Sequence, residues 1–386
     1  MAAALSKRPV DAVVLDGMNQ YLVHYYRRKK AVHSFVNEEG QVWDCIPVHQ
    51  QLNTRWSKDR RFEQPPAFQA TIAKETTRYP TAFPPGQQDA YGNVMACPEG
   101  CIPVRRITLE ELAQYADLRS ALKKSVLRDS RGRLVAEPLD DTGAGDDHKY
   151  ALGQVVVDNS GADAFFNIWQ PAVSADQYFS LAQIWMRGQN GNIIQTVEAG
   201  WTVFPSHFAT NKPVLFIYWT ADGYNVTGSY NKEDNSPFYQ TNNNVYLGGP
   251  FTGVSQPGGP QIDVEFAWQF HNNAWWLLIN GQTVGYYPAE IFGAGDLSRQ
   301  SSLIRVGGEV NGQSSYPPMG SGAFPDGGFQ QSAYIRNINY SAPGGGLQPA
   351  PLNYVATAPN CYRTATDTYA AWGSHFFFGG PGGNHC

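Results

Sequence analysis

Residues 261–287 read QIDVEFAWQFHNNAWWLLINGQTVGYY, and the period of this stretch decides the fold. Ile262, Val264, Phe266, Trp268 and Phe270 alternate with Asp263, Glu265, Ala267 and Gln269, as in a strand with one apolar face. Residues 275–279 give a second apolar run, Asn280-Gly281 supplies a two-residue hairpin turn, and residues 283–287 return. Working outward, comparable runs occupy 155–158, 164–169, 179–186, 194–203, 214–220, 303–310 and 332–340. Short strands at close intervals, with no helical pattern between them, predict an antiparallel sandwich or barrel. No internal repeat is visible.

The other end of the chain has a different composition. Of the 28 Lys+Arg and 33 Asp+Glu, residues 1–150 hold 21 and 19, leaving 7 and 14 for residues 151–386. That shift marks a domain boundary. Apolar residues at helical spacing, from Val13 and Val14 through Met18, Leu22 and Tyr25, predict a helix over 9–30, and Arg27 to Lys30 suit its C-terminus. Runs at 31–36 and 41–47 read as short strands. Thr108-Leu109-Glu110-Glu111 is a capping box, and Leu112, Tyr115, Leu118 and Leu122 give the following helix an apolar face. Residues 129–148, DSRGRLVAEPLDDTGAGDDH, are polar and turn-rich and read as a linker. The reading is therefore mainly β: a smaller α+β domain over 1–128, the linker, and a β-sandwich over 149–386.

Several function classes are excluded. The net charge is −5 with no basic stripe, which argues against nucleic acid as a partner. No run approaches the length of a membrane-crossing helix, and residues 1–14, with Lys7, Arg8 and Asp11, do not read as a signal peptide. There is no G-x-S-x-G elbow and no H-E-x-x-H, and His207, His271, His375 and His385 are scattered, so neither a serine hydrolase nor a zinc site is expected. No glycine loop precedes a helix, and no cofactor is implied. The five cysteines fit two disulfides and one spare thiol. A Cys361–Cys386 pair would staple the Gly-rich tail. Two sequons begin at Asn225 and Asn339.

The sandwich region has only five Glu, so each can be weighed. Glu233 lies in a polar loop and reads as solvated, and Glu290 reads as surface. Glu265 points away from the Val264/Phe266/Trp268 face, toward either solvent or a cleft. Glu198, in TVEAGW (196–201), and Glu309, in VGGEV (306–310), sit inside apolar strands with glycine beside them. An ionised carboxylate there needs a partner, and glycine weakens a strand unless a backbone or a ligand must come close. Each could be a salt-bridged core residue, but the scarcity of cations in this region weakens that reading. If the two face each other, like charges cannot both ionise easily, so the pair holds one proton at acid pH. One member can then take a proton from water while the other donates one, as in aspartic proteases and glycoside hydrolases.

The chain also resembles the neprosin family of plant and microbial glutamic endopeptidases, over nearly its whole length. The motifs that carry the resemblance are FSLAQIW (179–185), VEAGW (197–201), YWTADGY (218–224), GGEV (307–310), MGSG (319–322) and GGPGGNHC (379–386). In the first domain DCI (44–46) and CPEGCIPVRR (97–106) look like that family's activation peptide. The resemblance implies a secreted zymogen that processes itself, works at acid pH and cleaves after proline, with Glu198 and Glu309 as the catalytic pair. It implies protein or peptide substrates, and the chain's own first domain as an intramolecular inhibitor. By family analogy the processing cut falls within 129–148, where Pro138 is the one proline. The match departs in two places: residues 227–234 lack a cysteine pair common in plant members, and Cys101 stands where threonine is usual, so Cys45 has Cys97 and Cys101 as candidate partners.

Gln183 could orient the water or bind a developing oxyanion, or be a core amide bonded to backbone. Trp201, Tyr218, Trp219 and Tyr316 could line a shallow pocket for a proline ring or pack the core. Two other functions fit an aromatic β-sandwich: a two-Glu glycoside hydrolase, and a non-catalytic carbohydrate-binding module.

Overall fold

The computed structural model describes residues 11–51, 83–124, 126–128, 134–136, 147–234, 236–368, 370–384 and 386. The segment read as the first domain contributes helix α1 (Ala12–Tyr26), strands β1 (His33–Val36), β2 (Val42–Pro47) and β3 (Cys101–Arg105), and the single-turn helices α2 (Leu109–Leu112) and α3 (Leu118–Ala121). Next come β4 (Val126–Arg128), β5 (Leu134–Ala136), β6 (His148–Asn159), β7 (Gly161–Asn167), β8 (Gln177–Asn190) and β9 (Ile193–Val203). The turn α4 (Pro205–Phe208) leads to β10 (Val214–Thr220), β11 (Ser229–Tyr230), β12 (Tyr239–Gln240), β13 (Asp263–His271), β14 (Ala274–Ile279) and β15 (Gln282–Pro288). The chain ends through β16 (Ser301–Gly312), β17 (Ser315–Tyr316), β18 (Ala333–Ser341), β19 (Leu347–Pro349), β20 (Asn353–Ala356), β21 (Arg363–Ala365), β22 (Phe376–Gly379) and β23 (Gly383–Asn384).

The body is an antiparallel β-sandwich, as the alternation predicted. One sheet has the order β11-β10-β9-β8-β16-β6-β20, and the other β12-β15-β14-β13-β7-β18-β22-β21 with β19 beside β18. Val264, Phe266 and Trp268 of β13 meet Ile184, Val197, Ile217 and Val306 of the facing sheet in one buried core. Asn280 and Gly281 both adopt positive φ, which matches the twist of a tight hairpin between β14 and β15. Asn272 and Asn273 do the same between β13 and β14. Asparagine tolerates this conformation because its short polar side chain can bond locally.

The first domain differs from its reading in detail. Helix α1 is shorter than 9–30 and ends at Tyr26, with Asp11 accepting from Val13 at its N-cap. The capping box at Thr108 forms, but it starts a single turn. Asp117 then accepts from Ser120 N and caps a second turn, α3, so one predicted helix becomes two. Strands β4 and β5 pair antiparallel, so residues 134–136 of the stretch read as linker form a strand. Pro138 lies outside the described residues.

Met18, Ile107, Leu112, Tyr115 and Ala121 of the first domain pack with Phe179, Leu181, Phe204, Phe208, Phe216 and Tyr218 in a second core. This cluster covers the outer face of the β11–β20 sheet. Two disulfides form, Cys45–Cys97 and Cys361–Cys386, and Cys101 is a buried free thiol. The second ties the tail that pairs β23 with β17. Replacing Cys361 and Cys386 with serine should lower unfolding stability by about 3 kcal/mol, through release of a loop of 25 residues' separation. Denaturant titration of the double variant against the parent checks this.

Candidate active site

The register of the β11–β20 sheet decides which side chains share its outer face. Tyr218, Glu198, Trp185 and Arg305 are cross-strand partners in one row. Two residues along the strands, Phe216, Gly200, Gln183 and Gly307 form the next row. Thr202, Leu181, Glu309 and Tyr150 form the third. Side chains at a spacing of two point the same way. Glu198, Gln183 and Glu309 therefore run diagonally over β9, β8 and β16 on one face.

The glycines beside them serve the strands. A Cβ on Gly200 would lie 2.0 Å from Ala182 O, and one on Gly307 would lie 2.4 Å from Leu152 Cβ. Close approach by neighbouring strands excludes any side chain at these positions. This accounts for the glycines without invoking a ligand.

The two carboxylates meet, at 0% and 1% exposure, with a lysine between them. Lys124 Nζ donates to Glu198 Oε2 at 2.7 Å and to Glu309 Oε2 at 2.8 Å. Lys124 belongs to the first domain and follows α3. Lys123 Nζ donates to the carbonyls of Val226 and Thr227 at 3.2 Å, and Arg119 donates to Asn225 O at 3.1 Å. These bonds clamp the segment over residues 225–227. Sequence reasoning counted cations in the sandwich and so missed the one supplied from outside it. In place of a shared proton, the pair holds a shared ammonium.

Each glutamate has further donors. Thr196 Oγ1 and Tyr224 OH each donate to Glu198 Oε1 at 2.8 Å. Gln183 Nε2 donates to Glu309 Oε2 at 2.8 Å, while His148 Nδ1 lies 2.7 Å and Tyr150 OH 3.4 Å from Glu309 Oε1. Gln183 is thus bonded to a site carboxylate rather than to backbone, and its buried Oε1 has no hydrogen-bond partner among the described residues. Burial pushes the Glu309 carboxyl up, but the Lys124 charge and the His148 hydrogen bond outweigh it and hold it at about 2. Burial lowers Lys124, and the two carboxylates more than reverse this, leaving it raised. His148, Thr196 and Tyr224 were not singled out from sequence. His148 ends the stretch read as linker, and Tyr224 stands inside a quoted motif.

Other candidates lie elsewhere. Trp201 and Trp219 face the inter-sheet core, and Trp201 Nε1 donates to Asn167 O, so neither reaches the carboxylates. Tyr218 does share the site face, next to Glu198. Tyr316 is buried in the core on β17. Glu233 is not solvated: it is buried and pairs with His207 at 3.1 Å and Arg105 at 3.7 Å, because the first domain covers its loop and brings the arginine. Glu265 is 2% exposed on the outer face of the other sheet, so it is neither solvated nor near Glu198, and burial pushes it up to about 7. Glu290 is exposed, as read. Among the described residues no cluster of three His, Cys, Asp or Glu side chains is placed to hold a metal ion.

Residues 176–381 match the neprosin family. The chain belongs to the neprosin family. The neprosin match contains Gln183, Glu198, Tyr224 and Glu309, while Lys124 and His148 lie before it. Among solved structures, a scytalido-glutamic peptidase with a transition state analog inhibitor is 8% identical, with 60% of this chain and 98% of that one covered and a TM-score of 0.35. An eqolisin-family peptidase in complex with the tripeptide Ala-Ile-His gives 8%, the same coverages and 0.31. A homodimeric agglutinin from chicken liver gives 8%, with 42% and 95% covered and 0.22.

Proposed function

We propose that this protein is an acid-acting glutamic endopeptidase that cleaves after proline and is held inactive by its own first domain. The observation that carries the reading is the pair of buried carboxylates, Glu198 and Glu309, joined by one ammonium. Two bonds of 2.7 and 2.8 Å to a single nitrogen keep the carboxylate oxygens within about 5.5 Å of each other. A water oxygen, which also accepts and donates at such lengths, spans the same gap once Lys124 is withdrawn. One carboxylate then takes a proton from that water as it attacks the peptide carbonyl. The other, protonated, donates to the carbonyl oxygen; as the tetrahedral intermediate collapses, the first carboxyl passes the water's proton to the leaving amine and the second takes back a hydroxyl proton. Gln183 stands between them to orient the water or the tetrahedral oxyanion.

Membership of the neprosin family supports the peptidase assignment. The preference for proline is supported by rings on the same face, where Tyr150 and Trp185 have centroids 6.5 Å apart and Tyr218 and Tyr224 6.0 Å. An apolar ring stacks well on such surfaces. Export is supported by the two disulfides, which persist in oxidising compartments. Latency is supported by the first domain's cover over the site face and by the lysine it inserts.

The experiment is digestion, at acid pH and at neutral pH, of a proline-containing peptide and of a polysaccharide. The expected products are peptides ending in proline, released at acid pH only. Reducing sugar without peptide cleavage overturns the reading. Cleavage with no preference for proline overturns the specificity alone.

A further inference from the structure

The geometry points to His148 as the residue that fixes the division of labour, making Glu309 the ionised member of the pair and leaving the proton with Glu198. This inference rests on the two-carboxyl peptidase reading. Lys124 cannot set the roles, since it bonds both carboxylates at nearly the same length. It also belongs to the segment that must leave. What remains around the two is unequal. Glu198 keeps hydroxyl donors, Thr196 and Tyr224, which carry no charge. Glu309 keeps the Gln183 amide, the Tyr150 hydroxyl and the His148 ring.

His148 Nδ1 and Glu309 Oε1 form an ion pair whenever the ring is protonated, so His148 is the one basic side chain among the described residues left in hydrogen-bond contact with either carboxylate once Lys124 has gone. It is 4% exposed and stays with the sandwich, because it begins β6 opposite Asn311 of β16. Its ring stands 5.6 Å edge-on from Phe179 and 6.2 Å stacked from Tyr150, which fixes its aim at Glu309. Of the other groups packed around Glu309, Tyr224 and Tyr230 are neutral phenols raised by burial, and Glu198 is its partner. Arg305 lies two rows away on the same face and bonds Gln154. His148 is thus a positioning residue for the general base.

The test is the pH profile of kcat/KM for the full chain after acid activation. In His148→Gln the acidic limb should move up by at least one unit, a tenfold loss below it, while His148→Lys keeps the limb within about 0.3 unit of the parent. A limb that does not move in His148→Gln overturns the inference. Should that variant fail to fold, carbon-13 titration of the unmutated protein decides, with the two glutamates assigned through their glutamine variants. Glu309 ionising at lower pH than Glu198 supports the role of His148, and the reverse order overturns it. Glu198→Gln and Glu309→Gln are run alongside. If either retains full turnover, the peptidase reading itself fails; if both are inactive and only the limb is unmoved, the failure is confined to His148.

Discussion

Glu309→Gln and Glu198→Gln should each lower kcat/KM for peptide hydrolysis by at least about 10³-fold, which is about 4 kcal/mol of transition-state stabilisation. Glutamine keeps the shape of the side chain and an oxygen acceptor, so the packing of each strand is retained. What it removes is the ability to take or give a proton, and general acid–base catalysis contributes on the order of 10²–10⁴-fold. Because the two carboxyls act together in one proton-transfer step, their losses should not add: the double variant should be little worse than either single one. The measurement is turnover of a proline-containing peptide by acid-activated protein, with circular dichroism to establish folding. A folded single variant with undiminished turnover would remove the carboxyl pair from the chemistry.

The second large effect concerns Lys124. Lys124→Met should open the site of the uncut chain, raising its turnover on the order of 10²–10³-fold at the pH where the parent is latent. The lysine is buried with both carboxylates, and deleting one partner of such a group costs about 3–5 kcal/mol because charges are left buried without compensation. That loss falls on the docked arrangement alone. The same bonds predict acid release. Among the groups that depress Glu309 to about 2, Lys124 has the largest effect, so what their ion pair contributes to docking is lost as pH falls toward that value. Lys124 is raised, so its contribution is complete at all acid and neutral pH and fades only in alkali. The carboxylate therefore sets the window, which lies on the acid side and reaches down to about 2. Assays on an uncut chain, with intact mass confirmed before and after, test both statements. A Lys124→Met chain as silent as the parent would place the lock elsewhere.

The architecture was legible because period-two alternation in residues 261–287 reports directly on which face of a strand is buried. The Glu198 and Glu309 pairing was legible for a related reason: a carboxylate inside an apolar strand must find a partner. Register across β9, β8 and β16 is what puts them on one face, and register is a tertiary property that local pattern does not carry. The partner they found was hidden because Lys124 lies 74 residues from Glu198 and 185 from Glu309. A count of charges within one domain cannot see a cation lent by another. The same oversight misread Glu233, whose arginine also comes from the first domain. Trp201 and Trp219 stayed open between pocket and core in the sequence because aromatic type alone does not tell inside from outside. Their odd numbering along β9 and β10, shared with Val197, Ala199, Leu215 and Ile217, assigns them to the core.

The two disulfides lie on opposite sides of residues 129–148: Cys45–Cys97 entirely before them, Cys361–Cys386 entirely after. No covalent cross-link would bridge a break in that stretch. A single nick would yield two polypeptides that part on a denaturing gel without reductant, each keeping its own internal bridge. Severance would then be irreversible by simple dilution, since the smaller fragment would no longer be tethered at high effective concentration to the surface it covered.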